Sequence, residues 1–218
     1  MSINIEVART QMVNQQVRAW DVLEPSVLAV LSAVPREQFV PPRYRSLAFA
    51  DTAIPLPGGQ VMMTPQVEGR LLQALDISGT DQALEVGTGS GFLTACLARL
   101  CGQVTSLEIL PDLADSARRN LQTVATWNAD VRCADIYQYR PDERFDVIAV
   151  TGSIPQPDDR FQGWLKEGGR LFIITGEAPA MLARLVTRDG PDHWTVTTLF
   201  ETSLPPLLNA PQPQRFSF

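Results

Sequence analysis

Ala83-Leu84-Glu85-Val86-Gly87-Thr88-Gly89-Ser90-Gly91-Phe92 is the stretch whose reading decides how this chain folds. A short apolar run ends in an acidic residue and a glycine-rich turn, and Phe92 to Leu100 then carries apolar residues at helical spacing. The pattern reads as strand, tight loop, helix. Gly87, Gly89 and Gly91 have no Cβ, so the turn can take positive φ and let a ligand lie against the free N–H groups that open the helix.

A second carboxylate belongs to the same corner. Gln103 to Leu107 reads as a strand ending in Glu108, close to the roughly 20-residue offset at which an acidic residue grips ribose hydroxyls in doubly wound folds. A solvated strand end is the plainer account of Glu108. A dinucleotide fingerprint would want a glycine where Phe92 stands, and a Walker-type loop would want a lysine, yet no lysine precedes Lys166.

From Asp81 onward strands and helices alternate: Gln82 to Val86, Phe92 to Leu100, Gln103 to Glu108, Pro111 to Val124, Ala129 to Cys133, then apolar runs at Phe145 to Val150 and Gly169 to Thr175. This predicts an α/β fold with a mostly parallel central sheet and helices on both faces. Ala180 to Thr187 and His193 to Thr202 flank Arg188-Asp189-Gly190-Pro191-Asp192, which predicts an antiparallel pair at one edge. Asp135 follows the third strand and Thr151 ends the Phe145 to Val150 run, so both face the crevice at the strand ends. Asp146, inside that run, reads as structural.

Residues 1–80 read as a helical extension on the core. Asn4 caps a helix to about Trp20, and Glu24-Pro25 opens a helix from Ser26 to Ala33 that Pro35 ends. Arg36 to Pro42 reads as extended or turning, Tyr44 to Ala50 as a short helix or loop. Asp51 to Thr64 is a proline- and glycine-rich connector of a length that often carries function. Thr64-Pro65 opens the next helix, with threonine at the cap. We expect one domain: extension and substrate-side loop over 1–80, core over 81–203, irregular proline-rich tail over 204–218.

The 218 residues are 44% hydrophobic and 19% charged, which suits a globular core. A net charge of −6 argues against nucleic acid as substrate, and no run approaches membrane-spanning length, so the expectation is a soluble, cytoplasmic protein. Cys96, Cys101 and Cys133 lack Cys-x-x-Cys spacing and read as buried thiols, not as a metal site or disulfide framework. His193 is the sole histidine, which leaves histidine-based triads and metal sites without ligands. Trp20, Trp127, Trp164 and Trp194 are scattered and read as packing residues.

Glu85-x-Gly-x-Gly-x-Gly resembles the first motif of S-adenosylmethionine-dependent methyltransferases, which have a Rossmann-like fold. The resemblance implies S-adenosyl-L-methionine as cofactor, its methionine moiety and sulfonium beside the loop, with Glu85 serving a cation. It implies a cofactor set of Glu85, Gly87, Thr88, Gly89, Gly91, Glu108, Ile109, Asp135, Ile136 and Thr151, with Asp135 on the adenine amino group.

Several further segments are similar to protein-L-isoaspartate O-methyltransferases: Val34-Pro35-Arg36-Glu37-Gln38-Phe39-Val40-Pro41, Ala48-Phe49-Ala50-Asp51, Ile54-Pro55-Leu56, Phe145 to Thr151 and Leu165 to Leu171. The implied partner is a carboxylate of a damaged protein or peptide. The family carries Gly-x-Gln-Thr-Ile-Ser, with its serine at the reaction centre, where this chain has Gly58-Gly59-Gln60-Val61-Met62-Met63. Gln60, Val61, Met62, Met63 and Thr64 are thus the implied substrate side, and both hydroxyls are gone. Thr64 is one place late. The family's Gly-Asp-Gly is here Ala134-Asp135-Ile136, and its Thr-Ala-Ala is Thr151-Gly152-Ser153. Two alternatives stay open: a methyltransferase with another acceptor, an unidentified small molecule included, and a cofactor-binding protein with lost or weak catalysis. A nicotinamide-dependent oxidoreductase is a more distant third.

Overall fold

The computed structural model describes residues 4–212. At its centre is a seven-stranded sheet. In chain order its strands are β3 (Gln82–Val86), β4 (Gln103–Glu108), β5 (Ala129–Cys133), β6 (Phe145–Ile154), β7 (Leu165–Glu177), β8 (Ala180–Gly190) and β9 (His193–Thr202). Two short strands precede them, β1 (Ile54–Pro55) and β2 (Val61–Met62), paired antiparallel.

The spatial order is β5-β4-β3-β6-β7-β8-β9. β3 to β7 are parallel to their neighbours and β8 and β9 are antiparallel, as the alternation of elements predicts. The order reverses between β3 and β6, so their C-terminal ends diverge and leave a crevice, the usual ligand position in open α/β sheets.

The helices are α1 (Ile5–Gln11), α2 (Pro25–Ala33), α3 (Arg36–Phe39), α4 (Pro65–Leu75), α5 (Phe92–Leu100), α6 (Pro111–Thr123) and α7 (Asp159–Gly163). Asn4 caps α1 by accepting from the Val7 N–H at 3.3 Å. The helix expected to reach Trp20 does so in three windings: α1, a π turn over Met12–Val17 and a 3-10 turn over Arg18–Trp20. The wide turn aims Met12, Val13 and Val17 into the core. Gly69 makes room for that crossing: a Cβ there would lie 2.9 Å from Val17 Cγ1.

Arg36 to Pro42 turns, one of the two readings of it: Arg36–Phe39 makes one helical turn between its flanking prolines. Three expectations need correction. Thr64 stands at the N-cap of α4, but its side chain makes no capping hydrogen bond. Cys96 and Cys101 are buried, whereas Cys133 is exposed because β5 is a sheet edge. Trp127 is 77% exposed and packs into no core.

Asp146 is structural: it accepts from the Gln82 N–H and pairs with Lys166 at 2.7 Å. The connector before α4 is no bare loop either. It carries the β1–β2 hairpin, which turns through Pro57–Gly59. The tail is irregular through residue 212, and residues 213–218 of the expected tail lie outside the described residues.

Candidate active site

Two adjoining cavities open at the reversal between β3 and β6. The outer one, about 600 Å³, is lined by Gln60, Val61, Gly87, Gly89, Glu108, Ile109, Leu110, Asp135, Ile136, Thr151, Leu207 and Leu208, among others. The inner chamber, about 320 Å³, is lined by Val61, Met62, Met63, Glu68, Glu85, Gly87, Thr88, Gly89, Phe92 and Thr151, among others. Every residue that the sequence nominates lines one or the other except Gly91, which caps α5, and Thr64.

The loop after β3 is held from two sides. Gly87 has φ of 96°, and a Cβ on it would lie 2.5 Å from Thr151 Oγ1. That hydroxyl is shared between the carbonyls of Val86 and Gly87, at 2.8 and 2.7 Å. Thr151 therefore faces the crevice as expected, but its hydroxyl is committed to holding the loop. On the other side Glu108 accepts from the Gly89 N–H at 2.8 Å through Oε2 and from the Leu110 N–H at 3.0 Å through Oε1. One N–H on each oxygen fixes the carboxylate plane and leaves lone pairs toward the outer cavity.

Glu85 is wholly buried at the floor of the inner chamber. Its Oε2 accepts from Ser106 and Thr94, and Ser106 in turn hydrogen-bonds Thr88 at 2.6 Å. Its Oε1 has no hydrogen-bond partner among the described residues. Burial raises the Glu85 carboxyl from 4.5 to about 7, against the two hydroxyl donors that lower it, and the charges of Glu108 and Glu68 raise it further. A buried acceptor without a donor is costly, so this oxygen fits a cation or N–H donor placed in the chamber.

Sequence reading missed the pair beside it. Glu68 on α4 is buried and lines the same chamber, ion-paired to the buried Arg36. Arg36 also donates to the carbonyls of Ala48 (2.9 Å) and Met63 (2.8 Å), and its guanidinium lies 4.6 Å from the centre of the Phe92 ring. One arginine thus ties together the hairpin exit, α4 and α5. Burial raises the Glu68 carboxyl to about 7, with Arg36 pulling the other way.

The tail closes the outer cavity. Ser153 Oγ donates to the Leu204 carbonyl at 2.9 Å, and the Leu207 N–H donates to the Ser153 carbonyl at 2.8 Å. Gly152 admits Leu207, since a Cβ there would lie 2.7 Å from Leu207 Cδ2. Asn209 donates to Asp135 Oδ2 at 2.9 Å, while Asp135 Oδ1 accepts from the Tyr137 N–H.

Comparison with known proteins gives the family. The family model described as protein-L-isoaspartate(D-aspartate) O-methyltransferase matches residues 8–209. A protein-L-isoaspartate O-methyltransferase 1 from Anaeromyxobacter sp. is 36% identical over 199 residues, 90% of this chain and 91% of that protein. A protein-L-isoaspartate O-methyltransferase from Methanoculleus marisnigri is 36% identical over 184 residues, 84% of each chain. A Plasmodium falciparum structure of that description, in complex with S-adenosyl-L-homocysteine, superposes with a TM-score of 0.80. It is 20% identical, covers 91% of this chain and 97% of its own, and bears on the fold alone. With the family model spanning nearly its whole length, this chain belongs to the protein-L-isoaspartate O-methyltransferase family and is an S-adenosylmethionine-dependent O-methyltransferase.

Proposed function

We propose that this chain methylates a carboxylate of an isoaspartyl residue in a protein or peptide, using the crevice between β3 and β6. The observation that carries the reading is the unpartnered, buried Oε1 of Glu85 beneath the glycine loop. An anionic floor of that kind suits a sulfonium or ammonium group and would repel a pyrophosphate. When bound, the cofactor supplies a methyl group on a cationic sulfur. Glu108 would accept from ribose hydroxyls with its remaining lone pairs, Ile109 and Ile136 would hold the base, and Asp135 would accept from the adenine amino group.

An acceptor carboxylate is ionised near neutral pH, its reference pKa being about 4, so no general base is required. The protein's task is to hold the reacting groups in line and keep water out, and orientation of this kind is worth roughly 7–11 kcal/mol. Met62 and Met63, both buried on the chamber wall, exclude water. They do not replace the lost hydroxyls: a thioether is at best a weak acceptor and donates nothing. Losing a hydrogen bond to a charged acceptor costs about 1.5–3 kcal/mol, or roughly 10- to 150-fold in rate.

The test is calorimetry with S-adenosylhomocysteine followed by a methyl-ester assay on an isoaspartyl peptide. Met63→Ser should raise kcat/KM toward that peptide by at least about tenfold. A lower value in the variant would favour the second reading, an acceptor other than isoaspartate, for which the apolar wall at Met63 is the motivating feature. Absence of any label transfer from cofactor to peptides or cell extract would leave only a non-catalytic cofactor-binding role.

A further inference from the structure

A broader groove, about 1390 Å³, lies between the segment after α3, the turn at Pro57–Gly59 and one face of α6. It adjoins the inner chamber: Leu56 and Ser90, both buried, line both. Arg43 and Arg45, on the 3-10 turn Pro42–Leu47, and Arg119, on α6, stand along it. None of the three is in an ion pair among the described residues, and Asp112 is the one carboxylate on the lining. In a chain of net charge −6 this is a strip of cationic surface leading to an anionic chamber.

We propose that the groove holds the main chain of the substrate on one side of the modified residue and selects Asp and Glu side chains there. The inference rests on the acceptor being a residue in a polypeptide, as proposed above. A side chain that reaches the inner chamber must have its main chain outside it, and this groove, which shares Leu56 and Ser90 with the chamber, borders it. Pro41, Pro42 and Pro57 stiffen its walls, so little ordering is needed when an extended segment docks. Exposed arginines attract acidic side chains at moderate strength, about threefold in affinity each.

The experiment measures fluorescence anisotropy of labelled isoaspartyl peptides on the S-adenosylhomocysteine-loaded protein. Peptides carry Glu or Gln on one flank or the other. We expect the Glu peptide of one flank to bind roughly tenfold tighter than its Gln counterpart, with the advantage cut to about threefold or less in Arg45→Gln/Arg119→Gln, which keeps Arg43, and lost near an ionic strength of about 1 M. Both substitutions are at exposed positions, and an unchanged thermal unfolding curve confirms an intact fold. Equal affinities for Glu and Gln peptides on both flanks, or a preference undiminished by the double substitution, would overturn the proposal. Methyl-ester formation on the same peptides is scored separately. Groove-dependent binding without ester would defeat the proposed reaction and leave the docking surface standing, whereas ester formation indifferent to flank and to both substitutions would do the reverse.

Discussion

Glu85→Gln takes one negative charge from the floor of the inner chamber and keeps its shape and one acceptor oxygen. In the folded protein burial raises this carboxyl from 4.5 to about 7, despite the donors Ser106 and Thr94. Between those two values the folded state binds a proton that the unfolded state has released. Stability from this group is therefore fully present below about pH 4.5 and is lost as pH rises through about 7. At roughly 1.4 kcal/mol per pH unit the interval amounts to about 3 kcal/mol, which for a chain of this size is a fall in Tm of about 6–12 °C. Glu68 is also raised to about 7 by burial and adds a slope of the same sign, so the variant's curve should be shallower than the parent's but not level. Its height is a poorer guide, because the glutamine NH2 takes the place of Oε1 and finds no acceptor, a cost of about 1–3 kcal/mol. Scanning calorimetry from about pH 4.5 to 8 gives the slopes directly. The same variant should lose at least about tenfold in affinity for S-adenosylmethionine, since charge-assisted contacts are worth about 1.5–3 kcal/mol. Parallel stability–pH curves for parent and variant would refute the account of Glu85.

Arg36→Met should destabilise the fold by about 3–5 kcal/mol, because it leaves Glu68 buried without its partner, either charged or obliged to take up a proton; adding Glu68→Met should restore most of that loss in urea titrations. A double variant no better than Arg36→Met alone would show that the carbonyls of Ala48 and Met63, not the ion pair, carry the effect. Gly69→Ala should cost about 1–2 kcal/mol net: displacing Val17 costs about 1–3 kcal/mol, and alanine returns up to ~1 kcal/mol of helix propensity. A stabilised variant would mean that the π turn yields to the added methyl.

The strands of the core were legible because each is a short apolar run closed by a glycine, an acid or a turn, and Gln82–Val86 and Gln103–Glu108 fall where the pattern puts them. Parallel order and the crevice then follow from the alternation with helices. Glu68 escaped the same reading. It sits between Val67 and Gly69 on the buried face of α4, where a carboxylate is unexpected, and what permits it is Arg36, 32 positions earlier. No local periodicity signals such a pair. Cys133 and Trp127 were placed inside because their residue types favour burial, yet β5 is a sheet edge and Trp127 lies in the turn before it. The tail has no period at all, and backbone bonds to Ser153 hold it on the crevice, so only the glycine at position 152 hinted that something packs close there.

On the proposed reading, the charges along the path from groove to chamber let one crevice serve two ligands of opposite sign. Arg43, Arg45 and Arg119 attract an anionic segment, but the chamber behind Leu56 and Ser90 holds two carboxylates, Glu85 and Glu68, with only Arg36 to offset them. An acceptor carboxylate entering that chamber alone meets like charge in a poorly solvated space, where repulsion is stronger than in water. A cation resting against Glu85 removes the net negative charge and supplies the attraction that draws the acceptor inward. Burial raises both carboxyls, so protons taken up by an empty chamber lessen that repulsion, and a bound cation favours their loss and takes over the task. On the proposed reading the anionic floor thus ties acceptor entry to cofactor occupancy, and it does so through residues which the methionines at 62 and 63 leave in place.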